Sequence, residues 1–162
     1  MIRPARPDDV HELLSMVGEL AAYHEEPDAV VATAGQLHDA LFGENPTVFA
    51  QVATEPGADG AEEIVGMAVY VRNFSTWSGT HGIWLEDLYV RPTSRGGGHG
   101  KLLLAALAKT CVDEGYKRLE WAVADANTPA IGFYRSIGAK PMDAWTTQRL
   151  SGDALGALAG EA

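Results

Sequence analysis

Between Val10 and Ala21 the apolar residues Val10, Leu13, Leu14, Val17, Leu20 and Ala21 recur at intervals of three and four, the spacing of one face of an α-helix. Asp8 and Asp9 stand at its start, where the helix dipole favours negative charge. Ahead of it, residues 1–5 read as a short edge strand, because Pro4 removes a ladder donor. A second helix is predicted from Thr33, where Gln36 completes a T-x-x-Q capping box, to Gly43 ahead of Asn45 and Pro46. The period then changes. T-V-F-A-Q-V-A from Thr47 and I-V-G-M-A-V-Y-V from Ile64, separated by the polar loop E-P-G-A-D-G-A-E-E, predict a β-hairpin. After the polar and aromatic turn N-F-S-T-W-S-G-T-H-G, the run I-W-L-E-D-L-Y-V supplies a third strand of the same sheet. Residues 101–112, K-L-L-L-A-A-L-A-K-T-C-V, are helical by propensity and end near Gly115. L-E-W-A-V-A from Leu119 is predicted as a strand, N-T-P-A-I-G-F-Y-R-S-I from Asn127 as a short helix, and A-W-T-T-Q-R-L from Ala144 as a last strand. The Ala- and Gly-rich tail after Ser151 reads as low complexity.

This alternation of elements within 162 residues fits one domain with a full core and is short for two. No apolar run approaches the roughly 20 residues of a membrane span, and the N-terminus lacks the apolar centre of a secretory signal. With a single cysteine, Cys111, no internal disulfide forms, so a reducing cytoplasm is the expected compartment. Cys111 itself is expected to be buried packing. The formal charge of -10 repels nucleic acid and acidic membranes; it either favours small cationic partners or serves only to keep the protein soluble. His11, His24, His38, His81 and His99 show no ligand spacing, and no metal site is expected.

The sharpest chemical signal is R-P-T-S-R-G-G-G-H-G-K from Arg91 to Lys101. Gly96, Gly97, Gly98 and Gly100 lie between a strand and a long helix, so the loop's N–H groups are placed at a helix N-terminus, a ready site for an anion. A linker is excluded by the structured flanks. The Walker pattern fails because Leu102 follows Gly100-Lys101, and G-x-G-x-x-G is not met. What remains is Arg95-x-x-Gly98-x-Gly100 after the strand that ends in Tyr89 and Val90.

These residues resemble the central motif of the GNAT superfamily of N-acetyltransferases, Q/R-x-x-G-x-G/A after a strand. E-D-L-Y-V ahead of the loop and N-T-P-A-I-G-F-Y-R-S-I-G-A from Asn127 follow the order of that family. E-L-A-A-Y from Glu19, F-G-E-N-P from Phe42, F-S-T-W from Phe74 and W-L-E-D-L-Y-V from Trp84 are similar to segments of the diamine (spermidine/spermine) and thialysine N-acetyltransferases. The resemblance covers residues 2 to about 150 and implies an α/β fold whose central, mainly antiparallel sheet splays where acetyl-CoA enters, flanked by helices.

The same resemblance implies the site. Backbone groups of Leu88, Tyr89 and Val90 are expected to hold the pantetheine arm, and Arg95, Gly96, Gly97, Gly98, His99, Gly100 and Lys101 the pyrophosphate. Asn127, Phe133 and Tyr134 are expected to line the other side of acetyl-CoA, with the Tyr134 hydroxyl giving a proton to the departing thiolate; packing beside Phe133 is the alternative. Glu86 is the candidate acceptor of the amine's proton, and alternation along a strand sends Asp87 to the opposite face. A purely structural pair of carboxylates at a bulge is the other possibility. Trp77 and Trp84 are read either as walls of a substrate groove or as ordinary packing.

Two departures bear on substrate. Spermidine/spermine enzymes have acidic residues where this chain has Ser75 and His24, Ser75 being like the thialysine branch; Glu25, Glu26 and Asp28 lie nearby. The expected activity is acetyl transfer from acetyl-CoA to a small cationic primary amine, by a homodimer with exchanged C-terminal strands. The alternatives are another amine (antibiotic, amino acid or protein N-terminus) or a non-catalytic acyl-CoA sensor.

Overall fold

The hairpin predicted from the two apolar runs is the centre of the sheet. In the computed structural model, which describes Met1 to Ala162, its strands are β2 (Val48–Pro56) and β3 (Glu62–Ser75). Residues 64–70 of β3 are all buried, so both of its faces are covered. β1 (Ile2–Pro4) pairs with β2 at the sheet edge, where Pro4 is tolerated. β4 (Thr80–Val90) pairs antiparallel with β3, and β5 (Leu119–Trp121) runs parallel to β4. The strand order is β1-β2-β3-β4-β5: a mixed sheet with three antiparallel pairings and one parallel pairing.

Helix α1 (Val10–Tyr23) and helix α2 (Ala34–Phe42) bury Leu13, Met16 and Leu41 against Ala50, Val52, Met67, Val69 and Tyr89 of the sheet. α2 starts at the predicted capping box: the Gln36 N–H donates to Thr33 Oγ1 (3.2 Å), and the Thr33 N–H donates to Gln36 Oε1 (2.9 Å). Helix α3 (His99–Asp113) packs on β2, β3 and β4 through the row that includes Leu103, Leu107 and Cys111. Cys111 is buried as expected, and burial raises its thiol pKa.

By its contacts the chain divides into two units, Met1–Ala122 and Val123–Ala162. The elements above form the first. Within the second, Asn127 caps α4 (Thr128–Ser136), its Oδ1 accepting from the Ala130 N–H at 3.3 Å; the predicted helix was one residue longer at each end. Residues 144–150, expected as a strand, are not one. They are exposed, and a strand needs a ladder partner that this segment lacks here. The tail read as low complexity instead forms α5 (Gly152–Ala159). Two further boundaries differ. Residues 73–75 and 80–82, assigned to a long turn, extend β3 and β4, leaving 76–79 as the turn, and the strand from Leu119 stops at Trp121.

Candidate active site

β4 leads into the glycine loop, and the junction is pinned. The Arg91 guanidinium pairs with Glu12 at 2.6 Å and Glu19 at 2.9 Å, and its Nη1 donates to the Ile64 carbonyl at 3.1 Å. The hydrogen bond from Arg91 holds the Glu19 carboxyl below the usual carboxylate range. A short 3-10 turn (Pro92–Ser94) follows, then Arg95, whose Nε donates to the Val90 carbonyl at 2.9 Å. The Arg95 guanidinium lies 5.3 Å from the Tyr23 ring centre and 5.7 Å from that of Tyr89, so two aromatic faces fix it beside the loop.

The glycines now separate by cause. Gly96 and Gly98 have φ of 84° and 82°, the left-handed region that other residues enter at a cost, and a Cβ on either would meet nothing within 4 Å. Their substitution would be opposed by the backbone, while the Cβ would project into open space at the start of α3. At Gly97 a Cβ would come to 3.3 Å from His99 Nε2, so its smallness makes room for the imidazole. At Gly100 the nearest atom would be Val90 Cγ2, at an ordinary 4.0 Å. An open cradle at a helix N-terminus with exposed Arg95 and Lys101 beside it suits a pyrophosphate. His99 is different in kind: it is buried, and its Nε2 lies 2.6 Å from Glu55 Oε1.

Upstream of the loop, β5 pairs only with residues 83–85 of β4. Residues 86–90 therefore continue past the end of their neighbour, and the sheet opens on that side. Leu88, Tyr89 and Val90 lie along this opening, which accommodates an added extended segment. Of the three, Val90 already gives its carbonyl to Arg95.

The acidic pair sits where the β3–β4 register shifts: Val69 pairs with Asp87 and Tyr70 with Leu85, which leaves Glu86 as the extra residue of a bulge. Regular alternation would place Leu85 and Asp87 on one face; the bulge turns them to opposite faces. Asp87 thus shares the face of Val69, the side covered by α1, and Glu86 is exposed. The expectation of simple alternation is corrected by this bulge. Burial raises the Asp87 carboxyl pKa, the Glu86 charge raises it further, and His24 at the end of α1 acts in the opposite direction. No lysine or arginine pairs with Asp87.

Trp77 stands in the β3–β4 turn and is 89% exposed, so it is not core packing. Trp84 is half-buried on β4. In the second unit Phe133 and Tyr134 are half-buried on α4 with ring centres 5.4 Å apart, and burial raises the Tyr134 phenol pKa, keeping it protonated at neutral pH. Glu12, Tyr23, Glu55 and Arg91 were not among the site residues expected from sequence. Glu19 and Tyr23 do fall in the E-L-A-A-Y segment and Arg91 heads the glycine stretch, which were the available signals; Glu12 and Glu55 had none.

Residues 9–139 match the Acetyltransferase (GNAT) family. A thialysine N-epsilon-acetyltransferase from Sus scrofa is 34% identical, covering 99% of this chain and 98% of its own length. An L-ornithine N5-acetyltransferase from Arabidopsis thaliana is 29% identical over 97% of this chain and 86% of its length. Among solved structures, an integron cassette protein from the mobile metagenome of V. cholerae superimposes with a TM-score of 0.79 at 28% identity, covering 98% of this chain and 96% of that one. With the motif, the sheet and the full-length relatives in agreement, the chain belongs to the GNAT acetyltransferase family and is an N-acetyltransferase.

Proposed function

We propose that this enzyme acetylates a small cationic primary amine, a diamine, polyamine or lysine analogue, with acetyl-CoA as donor. The observation that carries the reading is Asp87: a half-buried carboxylate at the opened edge of β4, adjacent to the exposed Glu86, with no lysine or arginine paired to it and only His24 opposing the rise in its pKa. An ammonium supplies that missing charge. The relatives named for thialysine and ornithine acetylation act on amines of this kind by their names.

Acetyl-CoA supplies an activated acetyl thioester. Gly96, Gly97, Gly98 and Gly100, with Arg95, His99 and Lys101 on the same loop, hold its pyrophosphate, and the backbone of Leu88, Tyr89 and Val90 receives the pantetheine arm. Glu86 and Asp87 bind the ammonium form of the substrate and take up one proton, directly or through water, so that a neutral nitrogen attacks the acetyl carbon. As the C–N bond forms and the C–S bond breaks, the phenol of Tyr134 gives its proton to the leaving sulfur, and the second proton of the attacking nitrogen passes through water to restore the phenol. Asn127 and Phe133 are assigned with Tyr134 to acetyl-CoA, and Trp77 and Trp84 to the amine. In this reading the two units act as one N-acetyltransferase domain, since the family match runs unbroken across residue 122. We place it in the cytoplasm, the reducing compartment that suits its free Cys111. The active species is a homodimer; exposed Met142, Trp145, Leu150, Leu155 and Leu158 supply apolar surface for it, and light scattering tests this. A thiol-release assay over a panel of amines at fixed acetyl-CoA tests the substrate class: diamines and lysine analogues should lead, and a preference for anionic or neutral acceptors would refute it.

A further inference from the structure

At the far end of β2 a carboxylate reaches the glycine loop from outside it. Glu55 Oε1 lies 2.6 Å from His99 Nε2, and Glu55 Oε2 accepts from Ser94 Oγ at 3.0 Å. Ser94 ends the turn before the glycines and His99 begins α3 after them, so one side chain ties together both ends of the loop. The ring is buried beneath the loop, and a Cβ on Gly97 would come to 3.3 Å from its Nε2. Three features therefore interlock: a residue of small size at 97, an imidazole at 99 and an acceptor on β2. The register shift at Ala53 and Thr54 lies immediately before Glu55, and a bulge re-aims the residues that follow it.

We propose that Glu55 is a positioning residue for donor binding: through Ser94 and His99 it fixes the conformation of residues 94–99 and so sets the affinity for the pyrophosphate of acetyl-CoA. The proposal rests on the assignment of the glycine loop to that pyrophosphate. A loop with two left-handed glycines has many conformations when untethered, and holding it in one removes an ordering cost from each binding event.

Three variants and two donors test it. Calorimetry should show Glu55→Ala binding acetyl-CoA about tenfold more weakly than the wild type, the scale of a lost charged hydrogen bond. Glu55→Gln, which keeps an acceptor for His99 and a polar partner for Ser94, should recover affinity to within about threefold. With S-acetylpantetheine, which has no pyrophosphate, kcat/KM of Glu55→Ala should equal that of the wild type. An equal loss with both donors would mean general damage to the fold and would overturn the proposal. If Glu55→Ala binds acetyl-CoA normally while Gly98→Val does not, the loop assignment stands and the tether is wrong. If both variants bind normally, the loop assignment falls and the tether with it.

Discussion

The two halves of residues 86–101 are built on opposite electrostatic terms. From Arg91 to His99 the charged and polar side chains are held within the chain: Arg91 by Glu12 and Glu19, His99 and Ser94 by Glu55, and Arg95 by the Val90 carbonyl and two aromatic faces. A few residues earlier, Asp87 is half-buried next to Glu86 and has no lysine or arginine partner, only the opposing influence of His24. The comparison separates a preassembled site from an unfinished one. The loop is held in one arrangement by the chain itself, whereas the acidic bulge holds a carboxylate in an unfavourable setting that, on the proposed function, a cationic substrate relieves. Strain of this sort is retained where it serves binding and is removable by substitution elsewhere.

The largest expected effect tests the preassembled half. Gly98→Val forces a β-branched residue to φ 82° and puts its side chain into the cradle, so acetyl-CoA affinity should fall by about 100-fold or more in a protein that remains folded by circular dichroism. Calorimetric titration decides; wild-type affinity would remove the loop from the site. Next in size, Tyr134→Phe should lower kcat by on the order of 10²-fold with acetyl-CoA affinity nearly intact. An unchanged kcat, with chemistry shown to limit turnover, would leave Tyr134 a packing residue.

Much of the preassembled half was legible from sequence. Motif spacing placed the glycines, and the capping box at Thr33, the helix after the loop and the strand before it are local patterns that the structure keeps. The unfinished half was legible in residue type but not in direction. Glu86 and Asp87 were recognisable, yet the bulge that turns Asp87 away from Leu85 depends on how β3 pairs with β4, which no local spacing records. The same holds for Glu55, distant in sequence from the loop it touches. The expected strand over residues 144–150 failed for a related reason: a local run can read as a strand, but a strand exists only with a partner.

The acidic half makes smaller, more distinctive predictions. Glu86→Gln should raise KM for the amine and lower kcat together, because one group serves capture and proton removal; silence in both would move the role to Asp87 alone. Asp87→Asn should weaken amine turnover yet raise thermal stability at pH 7 in the absence of substrate. Because the folded-state pKa of Asp87 is raised, the folded protein holds this proton in a pH range where the unfolded chain has lost it, and stability falls as pH rises through that window. The gap in Tm between variant and wild type should therefore be full above the raised pKa and vanish below the ordinary value of 3.8. A gap that does not depend on pH would show that Asp87 is not destabilised by its charge. The smallest effect is the control within the loop: Gly100→Ala meets only Val90 Cγ2, at 4.0 Å, and should alter acetyl-CoA affinity by less than about threefold.

The central proposal is that a half-buried carboxylate without a lysine or arginine partner, at the β4 bulge, selects a cationic amine. It is tested most directly by kcat/KM for a diamine and for a neutral amine of similar length, measured at fixed acetyl-CoA with the wild type and Asp87→Asn. The account predicts a wild-type preference for the diamine that falls by about tenfold in the variant, through loss of diamine turnover rather than gain with the neutral amine. An unchanged preference, or a wild type that favours the neutral amine, would contradict it.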